Sequence, residues 1–295
     1  PMFGLRVQPT ANNGDRQGDD LTDRGAAWRM TARYALSPDA NLYATYARGR
    51  RPKVLSPNTP SRPGGPATFD EVTAETVDSV EVGLKWRAPG SSLTLDAALY
   101  AYDYKHFQTV IQQGTQYTVA DAGRARSVGL ELQGSWGFAD DHELFATYSW
   151  SRARFREGLY EGNHLALSPD HSLTVGLDLG YRLLGGTLQV LPTYAYVSEA
   201  FFTDDNGKPA LATGAFVAPL AFQASQDGYG LVNLRVGYAG ANDRWSVTAW
   251  ADNVTDEDYY STVLESGVAS PAFGVVPQAV LGAPRTYGVS VAVNF

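Results

Sequence analysis

Cysteine is absent from this 295-residue chain, so no disulfide staple or thiolate metal site can organise it. Long apolar runs are also absent: none approaches the roughly 20 residues that a membrane-spanning helix needs. Lysine is scarce, and 23 cationic side chains face 31 anionic ones, giving a net charge of −8 and a pI near 5.0. That balance argues against nucleic acid as the main partner. The usual signatures of phosphate-binding loops, nucleophile elbows and His-Glu-x-x-His metal sites are missing. The four histidines are His106, His142, His164 and His171, and none shares both parity and depth with Ser149 or Ser151. A surface hydrolase triad is therefore not assembled, and the chain reads as a non-enzyme without a cofactor. The run Asp204, Asp205, Asn206, Gly207 lacks the ligand spacing of a calcium loop and reads as a turn. The chain opens on Pro1 without a signal peptide, which reads as a processed or partial chain.

What the sequence has is alternation. Hydrophobic residues make up 44% and charged residues 18%, and the apolar ones recur at every second position in segments along the chain. One parity carries Trp28, Met30, Ala32, Tyr34 and Leu36, then Leu42, Ala44 and Tyr46, then Val80, Val82, Leu84 and Trp86. The pattern repeats from Leu93 to Leu99, Val128 to Trp136, Leu144 to Trp150, Leu173 to Tyr181 and Leu188 to Tyr196. It continues from Val232 to Tyr238, Trp245 to Ala249 and Tyr287 to Phe295, making 11 clear strands; a weaker run at Phe3, Leu5 and Val7 would make 12. The opposite parity is small, polar or charged, with Arg29, Arg33, Thr45, Glu81, Lys85, Asp96, Glu131, Gln133, Asp178, Arg235 and Asp252. Such alternation also describes any antiparallel sheet with one wet face.

The connections separate the alternatives. Short turns fall at 37–40, 88–91, 138–141, 183–186 and 240–243, and long connections near 52–74, 105–122, 155–168, 199–227 and 255–283. Short and long alternate strictly, which places all tight turns at one end of the sheet and all long loops at the other. Soluble sandwiches mix their connections through Greek keys, whereas outer-membrane barrels sort them in this way. Tyr34, Trp86, Trp136, Tyr181 and Trp245 each stand on the apolar parity near a short turn. An amphipathic ring gains by sitting at a headgroup boundary, so these residues are expected to form a membrane belt. The expected fold is all-β, a transmembrane antiparallel β-barrel with about 11–12 strands present.

With that pattern in hand, particular stretches resemble TonB-dependent outer-membrane receptors. LVNLRVGYAGANDRWSVTAWADNVTDEDYY (231–260) followed by GAPRTYGVSVAVNF (282–295) is similar to the last three strands of that family. Asn253, Asp256 and Tyr259 match its Asn-x-x-Asp-x-x-Tyr strand end, and Gly282, Pro284 and Arg285 match its Gly-x-Pro-Arg lead into the final strand. NLYATYARGRRP (41–52), ETVDSVEVGLKWR (75–87) and ARSVGLELQGSW (125–136) add weaker matches in the family's order. The resemblance implies that residues 1–295 are the C-terminal half of a barrel of about 22 strands whose lumen is plugged. It implies a plug domain and a TonB-contacting box that are not recognisable in this sequence, and uptake of a scarce ligand, a ferric siderophore by base rate. It also implies a Gram-negative outer membrane as location, lipid and lipopolysaccharide as surroundings, and the barrel-assembly machinery reading Phe295 as an assembly signal.

On that reading Arg29, Arg33, Glu81, Lys85, Asp96, Glu131, Asp178, Arg235 and Asp252 face the lumen and the plug. Ligand contacts are expected from Arg50, Arg51, Lys53 and Arg62, whose charge suits carboxylate, catecholate or phosphate groups. Paired Phe201 and Phe202 suit a planar or apolar ligand. Two other readings stand beside this one: a complete passive channel of 12 strands, and a soluble all-β binding module.

Overall fold

A computed structural model describes residues 5–7, 19–58, 68–113, 116–206, 224–241, 244–265 and 277–293. The main sheet has 11 strands. They are β1 (Trp28–Ser37), β2 (Ala40–Arg51), β3 (Glu75–Arg87), β4 (Ser92–Lys105), β5 (Arg124–Ala139), β6 (His142–Glu157), β7 (His171–Leu183), β8 (Gly186–Val197), β9 (Tyr229–Ala239), β10 (Trp245–Asp252) and β11 (Thr286–Val293). Each pairs antiparallel with its chain neighbour, so the sheet is an uninterrupted meander from β1 to β11. These are the 11 alternating segments expected from the sequence. Among the described residues β1 and β11 each pair on one side alone, so the barrel is not closed within this chain.

The expected twelfth strand is corrected. Leu5–Val7 is extended, but it pairs with Asp19–Leu21 in a separate two-stranded ladder and not with β11. Three residues of alternation could signal a strand without signalling its partner.

Register fixes which residues share a face. Tyr34 lies opposite Leu42, Leu42 opposite Leu84, Leu84 opposite Ala97, Ala97 opposite Leu132 and Leu132 opposite Tyr148. This apolar face stands open: Met30 is 68% exposed, Leu99 55% and Val289 67%. The other face carries the polar parity across the same strands. Tyr100 lies flat on it over Gly129, where an added Cβ would stand 2.4 Å from the ring, so the close approach requires glycine.

Short turns close one end of the sheet. Leu183 pairs with Gly186, leaving a two-residue loop in which Leu184 and Gly185 have φ of +50° and +77°. Two left-handed residues match the twist of the flanking strands. The long connections carry their own small ladders: Val54–Asn58 with Thr68–Val72, Gln108–Gln113 with Gln116–Asp121, Ala200–Phe201 with Ser225–Gln226, and Tyr260–Glu265 with Pro277–Leu281. Well-buried apolar residues also gather at this end, in a cluster of Ala122, Ala125, Ala153, Phe155, Tyr160 and Leu165. Ala125 and Ala153 continue the polar parity, so the loops fold over the top of the polar face.

Candidate functional site

The polar face and its loop roof form one surface. Register places Arg29, Arg33, Glu81, Lys85, Asp96, Glu131, Asp178, Arg235 and Asp252 all on this face, as the alternation requires. Some are joined in pairs. Lys85 Nζ donates to Asp96 at 2.6 Å, Gln189 Nε2 donates to both carboxylate oxygens of Asp178 at 2.8 and 3.0 Å, and Arg235 bridges Asp252 at 3.1 Å. Arg29, Arg33 and Glu131 have no ion pair or hydrogen bond among the described residues. Tyr43, Lys85, Asp96, Glu131 and Ser149 line a depression of about 330 Å³ in this face.

An aromatic file climbs from this depression to the roof. Tyr100 and Tyr102 have centroids 5.0 Å apart, Tyr102 and Tyr104 6.4 Å, Tyr104 and Phe107 5.6 Å, Phe107 and Phe155 5.3 Å, and Phe155 and Tyr160 5.5 Å. Edge-to-face and tilted contacts at these separations are each worth about 0.5–1.5 kcal/mol beyond area burial. The sequence reading missed this file. Its signal was present in YAYDY (100–104), three tyrosines on the polar parity where neighbouring strands carry small or charged residues.

The roof is stapled by polar side chains. Asp204 accepts from the amide of Ala166 at 2.9 Å and is bonded to the Thr109 hydroxyl, so one carboxylate ties three connections together. Asn206 accepts from the His164 amide at 2.6 Å and donates to its carbonyl at 3.0 Å. Asn206 itself sits at φ +53°, and Asp204, Asp205 and Asn206 form a turn, as expected, while Gly207 lies outside the described residues.

The described members of the expected ligand-contact set each have partners of their own. Arg50 continues the apolar parity of β2, where it is bonded to Asp23, whereas Arg51 on the opposite parity donates to the Gln108 carbonyl at 3.0 Å. Lys53 is bonded to Glu71. The hydrogen bond from the Arg50 guanidinium holds the Asp23 carboxyl below the usual carboxylate range. Phe201 packs its ring 5.1 Å from His164, and the Phe202 amide donates to the Ala224 carbonyl at 2.7 Å. Arg62 and Phe295 lie outside the described residues.

At the short-turn end the belt residues Tyr34, Trp86, Trp136, Tyr181 and Trp245 all stand on the apolar face. The structure extends this set. Trp136, Phe138, His142 and Tyr181 follow one another at 5.7, 5.7 and 4.9 Å, and Tyr238 meets Trp245 at 5.5 Å. A second set stands toward the loop end, where Trp28 meets Tyr46 edge-on at 4.7 Å and Trp150 is exposed.

The two terminal motifs join into one knot. Asn253, buried and at φ +51°, donates to the carbonyls of Glu257 (2.9 Å) and Ala283 (3.1 Å) and accepts from the Glu257 amide (2.8 Å). Asp256 accepts from the Arg285 amide at 3.1 Å and bridges its guanidinium at 3.2 Å. Tyr259 stacks on Tyr229 at 4.5 Å and covers Gly282, where a Cβ would stand 2.1 Å from the ring.

An open antiparallel meander with one apolar and one polar face, girdled by aromatics and sorted into short and long connections, is the wall of a transmembrane β-barrel. The family description "TonB dependent receptor-like, beta-barrel" matches residues 2–254, and the chain belongs to that family. It is 27% identical over 225 residues to the ferrioxamine receptor of Yersinia enterocolitica, covering 70% of this chain and 30% of that protein. It is 23% identical over 305 residues to the pesticin receptor of Yersinia pestis, covering 99% of this chain and 40% of that protein. The crystal structure of the ferric yersiniabactin uptake receptor from Yersinia pestis superposes with a TM-score of 0.71 at 21% identity, over 95% of this chain and 38% of that one. The chain thus spans 30–40% of the length of these curated relatives.

Proposed function

We propose that this chain forms part of the barrel wall of an outer-membrane receptor that takes up a scarce ligand, a ferric siderophore, by energy coupled through TonB. The observation that carries the reading is the roofed polar face: loops held by Asp204 and Asn206 close over a wall of mixed charge while the opposite face is apolar along the middle of the strands. A wall of that kind suits a lumen filled by a folded plug, whose polar surface would pair with Arg29, Arg33 and Glu131. Similar proteins named as a ferrioxamine receptor and a catecholate siderophore receptor support the cargo class. Arg50, Arg51, Lys53, Arg62, Phe201 and Phe202 are the contacts proposed for the ligand, and Phe295 is proposed for recognition by the barrel-assembly machinery. Because the family consists of transport receptors, no catalytic step is assigned. The passive channel of 12 strands loses its support, since Leu5–Val7 is committed to Asp19–Leu21.

The test is growth and uptake of radiolabelled ferric siderophores in an iron-limited strain, with the full gene present, deleted, or lacking its upstream plug-encoding portion. Uptake that depends on the full gene and on TonB is expected. Iron uptake indifferent to the gene overturns the cargo, and uptake independent of TonB overturns the coupling.

A further inference from the structure

At the loop end of β5 and β6 the apolar parity runs out into arginine. Above Val128 and Leu130 on β5 come Arg126 and Arg124; above Tyr148 and Trp150 on β6 come Arg152 and Arg154. Arg126 stands directly opposite Arg154, and Arg152 opposite Val128. Arg126 and Arg152 are therefore diagonal neighbours on one face, about 7–8 Å apart. Like charges placed directly across an antiparallel pair, as Arg126 and Arg154 are, are destabilising, so this cluster of cations calls for anions.

Neighbouring cations on the same rim have found one. Arg48 bridges Asp78 at 2.7 Å, with Lys105 3.8 Å from the same carboxylate. Arg124 bridges Asp103 and Glu157, both at 3.1 Å, and Arg154 grips Asp170 at 2.9 Å. Asp103 also lies opposite Arg126 in register, but its oxygens are bonded to Arg124. Arg126 and Arg152 are both exposed and have neither an ion pair nor a hydrogen bond among the described residues, and the same holds for Arg156 at the adjoining register shift. Free guanidinium groups stand out in a chain whose net charge is −8.

We infer that Arg126 and Arg152 seat the phosphate of a lipid headgroup lying against the outer wall of the barrel. Guanidinium forks meet phosphate oxygens in pairs, so two of them at this spacing can share one phosphate. The height also fits. Arg152 is two residues above Trp150, about 7 Å along the strand, and an aromatic ring on the outer wall marks the headgroup boundary. Arg126 and Arg152 are both exposed to solvent, so a free phosphate there would keep most of its water and have little reason to stay. A lipid phosphate is held there by acyl chains packed on Val128, Leu130 and Trp150, which raises its effective concentration beside the arginines. This inference rests on the membrane reading of the apolar face.

The experiment uses the full-length receptor in phosphatidylcholine nanodiscs doped with bis-phosphorylated lipid A or with its dephosphorylated form. Retained lipid is read by native mass spectrometry for the wild type, R126Q/R152Q and R126K/R152K. The double glutamine variant is expected to hold phosphorylated lipid A about tenfold less tightly, with the lysine pair between, and to leave the dephosphorylated lipid unchanged. A heat-modifiable gel shift confirms that each variant keeps its barrel. Equal retention by wild type and R126Q/R152Q overturns the proposal, as does equal retention of the two lipids by wild type. Full displacement of lipid A by millimolar inorganic phosphate assigns the site to a free anion and overturns the lipid. Receptor location is read separately by membrane fractionation, so a failed outer-membrane reading is distinguishable from a failed lipid site.

Discussion

Two apolar regions of this molecule look alike in composition and opposite in environment. Ala125 and Phe155, under the loop roof, are 0% and 1% exposed. Val289 and Leu99, on the outer face, stand open along their strands. In a soluble protein the long stripes of Leu, Val and Trp would be the core and the loops would be the surface. Here the dense packing lies in the loops, and the stripes await a solvent of their own. The comparison teaches that alternation alone does not say where the core is; the medium against each face does. Lipid leaves the stripes at no cost, whereas water leaves the loops needing a core to stay shut.

The sharpest way to test the contrast is to damage each region and read both. Phe155→Ala removes the ring that meets Phe107 and Tyr160, and such truncations cost about 3–5 kcal/mol. Limited proteolysis of the full receptor is expected to cut the long connections far faster, while the heat-modifiable gel shift persists. Leu99→Arg, midway along β4, is expected to cost about 2–4 kcal/mol in lipid and to lower the inserted fraction in outer-membrane preparations. Its loops should remain resistant once inserted. If Phe155→Ala blocks insertion or Leu99→Arg opens the loops, the two regions are not separate.

Asn253→Ala comes next, with about 1–3 kcal/mol expected from losing the three hydrogen bonds that the buried side chain makes to Glu257 and Ala283. Urea unfolding in micelles should show it, and Asp256→Ala, which loses an exposed bridge, should cost much less. This knot also shows how far the sequence could be read. Asn253, Asp256, Tyr259, Gly282 and Arg285 were legible as a resemblance, but nothing in the chain says that the two stretches bond to one another across the strand top. All the main strands were legible because each has two different media on its two faces, which imposes period two over several residues. The loop ladders, such as Gln108–Gln113 with Gln116–Asp121, were not, because short polar strands packed among loops lack that constraint. Arg50 and Lys53 were legible as cations, but their bonds to Asp23 and Glu71 depend on how the loops fold back.

A smaller effect is expected at the short-turn end, where Leu184 holds a left-handed conformation that a branched side chain disfavours. Leu184→Gly should stabilise the hairpin by up to about 1 kcal/mol, read as a raised unfolding midpoint in urea. No change would mean that the strands on either side, and not the turn, determine its geometry.

The mildest perturbation of the loop end is acid. Asp23 accepts from Arg50 and from the Lys53 amide at 3.2 Å, so it ties the segment before β1 to the top of β2. Its carboxyl titrates below the usual range because the Arg50 hydrogen bond favours the charged form. A group whose folded pKa is depressed contributes stability that is full above its unfolded pKa and is lost as pH falls through the folded one. The tie should therefore hold from neutral pH down past the ordinary carboxylate range and loosen below it. Hydrogen exchange at the Lys53 amide is the readout, corrected for its intrinsic pH dependence and compared with Asp23→Asn. The wild type should lose protection as acid titrates Asp23, whereas the asparagine variant should show no such step. A matching step in both would assign the acid response to another group and leave the loop end tied by its buried core alone.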